Sequence, residues 1–308
     1  MWKATGWVAL SACCFGSMAP LTALATVDGA PLPAVLFWRY LTSALLLGLL
    51  ATRARRRRGD TGAAPWRSLD ITLLGGGAQF AVASLSLSAL RHLPAAAIGF
   101  LFYTFPAWVT LGSAARGLER LTARRLLALG CALGGIVAMV GAPGTAALSP
   151  IGVALALGAA VVYACYIPLM SVRQRGLPPV GVAFAVALGG TVWFFGWCLL
   201  DGAFAVPLSA RSLGLSVTMG ALAATAFFGF LEGLAGLGAV RTSITSTVEP
   251  LWTALLGVLV LQQPVGRGTI LGGLGVLAAV LLLARPERAN GAARTDRAAP
   301  QPTAGHDA

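Results

Sequence analysis

Long apolar runs alternate along the chain with short clusters of charged residues, prolines and glycines. A helix that crosses the roughly 30 Å hydrocarbon core of a membrane needs about 20 mostly apolar residues. Ten runs approach this length, so the pattern predicts ten transmembrane helices. These runs lie at about 5–26, 32–52, 69–90, 95–115, 126–142, 151–170, 180–200, 212–233, 241–261 and 268–285.

The composition excludes an ordinary soluble domain. Hydrophobic residues make up 57% of the chain and charged residues only 10%, whereas soluble domains are typically about 25% charged. The fold class predicted is therefore an all-α, polytopic membrane protein.

The net charge of the chain is +12, which by itself also fits a nucleic-acid partner. The basic residues, however, are concentrated in one set of loops. If the N-terminus is cytoplasmic, the outer loops hold few arginines and the inner loops hold most of them. This asymmetry follows the positive-inside rule and predicts two cytoplasmic termini and no nucleic-acid partner. The inner arginines are Arg53, Arg55, Arg56, Arg57, Arg58, Arg67, Arg116, Arg120, Arg124, Arg125, Arg173, Arg175 and Arg241, and the outer ones are Arg91, Arg211 and Arg267.

The basic loop at Arg53–Arg58 is expected to contact anionic lipid headgroups, since clustered arginines beside a span attract them. The tail 286–308 is rich in Ala, Arg, Pro and Gly and is predicted to be a disordered cytoplasmic segment. The sequence leaves the oligomeric state open.

The two halves of the chain echo each other. Pro106 and Pro250 lie in similar apolar settings, and each is followed two residues later by a tryptophan. Each half holds five spans, an odd number, so the second half enters the membrane from the opposite side. The prediction is two five-helix inverted-topology repeats, at 1–142 and 143–285, an architecture typical of secondary transporters with a site near the midplane.

Glu249 is the exceptional residue of the ninth span, because a charge at membrane depth usually faces a bundle interior or a water-filled path. Thr242, Ser246 and Thr253 share its helix face by their three- or four-residue spacing. Pro250 cannot donate a backbone hydrogen bond and is expected to leave the Ser246 carbonyl free. Packing and capping also explain the hydroxyls, and a structural ion pair also explains Glu249.

Arg39 lies about 9 Å below the start of the second span. Interfacial anchoring and a cavity-facing role both fit it, and pairing with Glu249 is possible. Gln79 in the third span fits either a ligand contact or an interhelical hydrogen bond.

The predicted mechanism is alternating access around a substrate site, in which Glu249 binds a cationic group or carries a coupling proton. Pro106 and Pro250 are the predicted hinges. The substrate-binding candidates are Arg39, Trp38, Gln79, Tyr103, Ser246, Glu249 and Trp252.

The sequence does not favour an enzyme. It has no H-E-x-x-H motif and only two histidines, neither deep in a span. Its five cysteines lie within apolar runs without C-x-x-C spacing. No metal or cofactor is predicted, and no ring of charges suggests a channel.

Four segments together resemble the EamA-like family of the drug/metabolite transporter superfamily. They are Phe37-Trp38-Arg39-Tyr40, Ala89 to Ala95, Leu118-Glu119-Arg120-Leu121-Thr122, and Arg241 through Glu249-Pro250.

The resemblance implies a ten-helix carrier of the inner membrane, often an exporter of amino acids or other small metabolites. A drug or lipid-like amphiphile exporter or flippase is the alternative. Two departures place the charge in one half: Gln262-Gln263-Pro264 replaces the family's Gly-Glu-Arg-like turn, and Phe105-Pro106 stands where the second half has Glu249-Pro250.

Overall fold

The computed structural model describes residues 2–58, 69–89, 101–117, 122–140 and 149–261, together with single positions at 92, 98, 274, 275, 278, 279 and 282. Within these ranges the chain is helical, and no residue of them belongs to a β-strand. The all-α prediction is therefore confirmed for this part of the protein. The predicted tenth span, 268–285, lies almost wholly outside the described residues, and the tail 286–308 lies entirely outside them.

The described residues of the first half form six α-helices and one π-helical turn, Ile71–Gly75, which leads directly into α4. The helices are α1 (Trp2–Gly16), α2 (Met18–Thr26), α3 (Leu32–Arg58), α4 (Gly76–Ala89), α5 (Phe105–Ala115) and α6 (Ala123–Val140).

In the second half, the described part of the chain forms five α-helices and a short 3₁₀ turn, Ala203–Ala205. The helices are α7 (Pro150–Arg173), α8 (Pro179–Leu200), α9 (Ala210–Leu237), α10 (Ala239–Thr245) and α11 (Val248–Leu261).

Five helical segments of the described chain are long and apolar enough to cross a membrane. A shorter apolar helix covers Ile71–Ser86. These elements make the protein a multi-pass membrane protein. The five segments are Trp2–Thr26, Leu32–Arg57, Pro150–Arg173, Pro179–Leu200 and Ala210–Leu237.

Breaks interrupt two of the predicted spans. The first span is divided at Ser17 into α1 and α2, and the ninth is divided between α10 and α11 at Ser246 and Thr247. The Ser246 carbonyl accepts the Glu249 amide at 3.0 Å, so the prediction that Pro250 frees this carbonyl is wrong. Because Pro250 removes the regular donor, the turn tightens to an i→i+3 bond that reuses the acceptor.

Arg53–Arg58 do not form a loop. They continue α3 to its end at Arg58, because arginine and alanine are good helix formers and extend an existing helix at little cost. The predicted basic loop is thus a basic helix end, with Arg53, Arg56 and Arg57 exposed.

The helix contacts are pseudo-symmetric: a contact made by a helix of one half recurs between the equivalent helices when the two halves are exchanged. The central contact joins α3 to α8. The contact of α1 with α9 matches that of α4 with α7, and the contact of α1 with α11 matches that of α5 with α7. Tyr40 is buried at the centre, with ring centroids 4.9 Å from Phe194 and 5.7 Å from Phe227.

Glycines permit the closest helix crossing. A Cβ atom added to Gly76 would overlap the backbone of Gly189 and Gly190, and one added to Gly190 would overlap the ring of Tyr40. Small residues let helices approach in lipid, where packing drives their association. The glycine run at the start of α4 therefore brings this helix against α8.

Candidate functional site

A cavity of about 200 Å³ lies between the two halves. Both halves supply its wall, and both of the predicted charged residues belong to it. The lining residues are Phe15, Met18, Arg39, Tyr40, Gln79, Val82, Ala83, Ser86, Phe102, Tyr163 and Glu249.

Glu249 reaches the central cavity from the first turn of α11, immediately after the break in the ninth span. A carboxylate is favourable at a helix N-terminus, where the unpaired amides and the helix dipole carry partial positive charge. The Tyr103 side chain approaches this carboxyl group, and the positive charge of Arg39 acts on it. The break thus places the Glu249 carboxyl group at the start of α11, beside the Tyr103 phenol and within range of the Arg39 charge.

Arg39 reaches the same cavity from α3. Its guanidinium carbon lies 4.9 Å from the centroid of the Tyr40 ring, a cation–π distance, and Nη2 donates to the Tyr40 hydroxyl at 3.4 Å. The buried Nε has no hydrogen-bond partner. Within the described chain Arg39 and Glu249 form no direct ion pair, so both charges face the cavity with bonding capacity to spare.

Gln79 belongs to a stripe on α4 that faces the cavity. Val82, Ala83 and Ser86 follow it at helical spacing and line the same wall. The Gln79 side chain also approaches the buried hydroxyl of Tyr166 on α7. That hydroxyl makes no hydrogen bond of regular geometry. Gln79 therefore has a position that serves both of the roles left open by the sequence.

Four other predicted site residues do not line the cavity, although one of them, Tyr103, lies beside Glu249. The Trp252 indole donates to the Ser17 hydroxyl at 3.0 Å. The Ser246 hydroxyl donates to the Thr242 carbonyl in the preceding helix, α10, at 2.9 Å. Trp38 packs edge-on against Phe37, with centroids 5.5 Å apart. Trp252 thus joins α11 to the break in the first span.

Pro106 and Pro250 are both buried, each in the first turn of a helix that follows a break. Proline is well suited to this place, because the first helical residues have no internal acceptor for their N–H groups. A hinge function for the two prolines stays a prediction.

The cavity wall also contains residues that the sequence reading did not assign to the site. Phe15 and Tyr163 are the clearest pair, because Phe15 precedes Pro20 by five residues and Tyr163 precedes Pro168 by the same interval. This repeated spacing was the available signal. The others are Met18, Tyr40, Val82, Ala83, Ser86 and Phe102.

Apolar helices enclosing a small charged cavity between two similar halves define a multi-pass membrane transporter. The sequence profile of the EamA-like transporter family matches residues 2–141 and again residues 150–285. The chain therefore belongs to the EamA-like transporter family, and it does so as two repeats. This is a family of transporters rather than of enzymes, within the drug/metabolite transporter superfamily.

A solved structure described as "Crystal structure of protein" shares the fold. It has 20% sequence identity and a TM-score of 0.76, and the alignment covers 92% of this chain and 97% of that one. No curated protein matches the chain.

Proposed function

We propose that the protein is a secondary transporter that exports a small zwitterionic metabolite, such as an amino acid, by alternating access. The observation that carries this proposal is the presence of Arg39 and Glu249, of opposite charge and not directly paired, in one cavity between the halves.

Charge complementarity supports a zwitterion. Charged side chains at membrane depth are costly and normally find a counter-charge. A ligand with a carboxylate and an ammonium group supplies both: the carboxylate meets the guanidinium of Arg39, and the ammonium meets the carboxylate of Glu249. Charge-assisted hydrogen bonds of this kind are stronger than neutral ones.

The size of the cavity supports a small solute. Pockets for drug-sized ligands are typically about 300–1,000 Å³, whereas this one is about 200 Å³. The aromatic side chains of Phe15, Phe102 and Tyr163 in its wall favour the second candidate, a drug or lipid-like amphiphile. That candidate requires the cavity to enlarge during transport, so the small metabolite is preferred.

The proposed architecture is ten spans in two inverted repeats, 1–142 and 143–285, with both termini in the cytoplasm and the chain in the inner membrane. The two family matches and the exchangeable packing pattern support it. In this arrangement the halves rock around the cavity, with Pro106 and Pro250 at the hinges. Glu249 is the group proposed to exchange a coupling proton or a substrate ammonium.

Counterflow in proteoliposomes tests the substrate class. Neutral amino acids are compared with their amides, which lack the carboxylate, and with their N-acetyl forms, which lack the ammonium. We expect uptake of at least one free amino acid and at least tenfold lower uptake of both derivatives, since each loses about 1.4 kcal/mol or more.

Arg39→Met removes from the protein the charge that is proposed to bind the substrate carboxylate. Arg211→Met is the control, because Arg211 is an exposed arginine at the start of α9. Loss of uptake in the first variant alone is expected. Transport of amphiphilic dyes but of no amino acid, or full amino-acid uptake by Arg39→Met, contradicts the proposal.

A further inference from the structure

A second and larger cavity, of about 1210 Å³, opens at the end of the bundle that holds Arg241. We call it the basic cavity. It lies among the start of α1, the start of α6, the end of α7 with the turn that follows, the end of α9, and α10. Its charged and amide-bearing residues are Lys3, Arg125, Gln174, Arg175, Glu232 and Arg241.

The basic cavity is separate from the central one. Along α1, Trp7 lines the basic cavity and Phe15 lines the central cavity, which places them about 12 Å apart on an ideal helix. Val8, Ile167 and Ile244 are completely buried in the core between these levels. A ligand of the basic cavity therefore does not occupy the site proposed for the transported solute.

The basic cavity has an excess of positive charge. Four cationic side chains line it, and Glu232 is the one carboxylate among its described lining residues. Like charges gathered around a concave surface of low dielectric repel one another and focus a positive potential into the cavity. An anion bound there would relieve this repulsion and would find several charged donors within one cavity.

Gln174 supplies an independent observation. It follows the last residue of α7 and is only 3% exposed, yet neither atom of its side-chain amide has a hydrogen-bond partner. A buried amide without a partner is unfavourable. By contrast, the hydroxyl of Ser171 in the same wall is committed to the Pro168 carbonyl at 2.7 Å. Gln174 is thus an amide donor beside the cationic side chains, with no bond to break before it serves a ligand.

We infer that the basic cavity binds an oxyanion, a phosphate or carboxylate group, through its cationic side chains and the Gln174 amide. The group belongs either to a small solute or to the headgroup of an anionic lipid, and both present the same chemistry. This inference stands whether or not the central cavity carries a zwitterion.

Binding to full-length protein in nanodiscs tests the inference. In the first arm the discs contain only phosphatidylcholine, and inorganic phosphate is titrated by calorimetry against a chloride-matched blank. In the second arm phosphatidylglycerol is added, and retained lipid is counted by native mass spectrometry. The variants are Arg175→Gln, which removes an exposed charge of the cavity, and Gln174→Leu, which keeps the side-chain bulk without the amide.

Arg211→Gln is the matched control, because Arg211 lies at the start of α9 while Glu232 and Leu234 near its end line the basic cavity. Gln174→Leu is expected to fold at least as stably as the parent in the absence of anion, since it removes an unsatisfied amide. Thermal unfolding without anion checks this and separates lost binding from lost folding.

We expect phosphate to bind in the first arm, or phosphatidylglycerol to be retained in the second, with affinity about tenfold lower or more in both cavity variants and unchanged in the control. Phosphate binding in pure phosphatidylcholine assigns the site to a solute, and retention of phosphatidylglycerol alone assigns it to a headgroup. Absence of both, or equal binding by Arg175→Gln and Arg211→Gln, overturns the inference.

Discussion

Replacing Gly16 by alanine is expected to destabilise the protein, because α1 and α11 meet at this glycine. A Cβ atom at this position would lie 2.8 Å from the Glu249 carbonyl oxygen, 2.9 Å from Thr253 Oγ1 and 3.3 Å from Trp252 Cδ1. The nearest of these atoms belongs to the backbone and cannot rotate away. The added Cβ atom would also displace the Thr253 hydroxyl, which donates to the Gly16 carbonyl at 3.0 Å.

The size of the effect follows from two opposing contributions. Overpacking a well-packed contact costs about 1–3 kcal/mol, while alanine in place of glycine within a helix contributes about 0.5–1 kcal/mol of stabilisation. The net expectation is a loss of up to about 2.5 kcal/mol relative to the parent. The shift of α11 also moves Glu249, so transport should fall by more than the amount of folded protein does.

Gly6→Ala is the matched control, since Gly6 is on the same helix and has no atom within 4 Å of the added Cβ. It should be neutral or slightly stabilising, because only the helix propensity changes. Reversible unfolding in mixed micelles measures both variants. Equal stability of the two variants would refute the close contact of α1 and α11, because the gain in helix propensity is common to both.

Two further predictions concern polar contacts. Trp252→Phe removes the interhelical hydrogen bond to Ser17 and should lower the free energy of unfolding by about 0.5–1.5 kcal/mol in the same assay. Trp108→Phe loses a bond only within its own helical segment and should cost less. A larger loss at Trp108 would contradict the view that the Trp252 bond joins two helices. Asp70→Asn breaks the exposed ion pair with Arg173 and should lower the free energy of unfolding by less than about 1 kcal/mol. This loss should shrink as salt is added. A loss above about 1 kcal/mol that does not change with salt would show that solvent does not screen the pair.

The helical class and the exceptional position of Glu249 could be predicted because each depends on local composition. A run of about 20 apolar residues has few alternatives to a helix in a membrane, and a carboxylate within one such run is conspicuous. Arg39 was visible in the sequence for the same reason. Both residues line the cavity, although their function as a binding pair stays a prediction.

The role of Trp252 could not be predicted, because its partner Ser17 lies in the other half of the chain and no helix-face pattern encodes that contact. The aromatic wall at Phe15 and Tyr163 was missed for a similar reason, since an aromatic residue in an apolar helix fits lipid, core and cavity equally well. The break at Ser246 and Thr247 depends on the Ser246 carbonyl accepting the Glu249 amide in place of the donor that Pro250 lacks, which composition does not decide.

Transport by Glu249→Gln in proteoliposomes, measured across a range of pH, tests the central claim most directly. Asp201→Asn is the control, because Asp201 is an exposed carboxylate at the end of α8. If Glu249 binds the substrate ammonium or carries the coupling proton, the glutamine variant should transport at least tenfold more slowly, and its residual rate should no longer follow pH as the parent and the control do. A Glu249→Gln protein with the parent's rate and the parent's pH dependence would contradict the account.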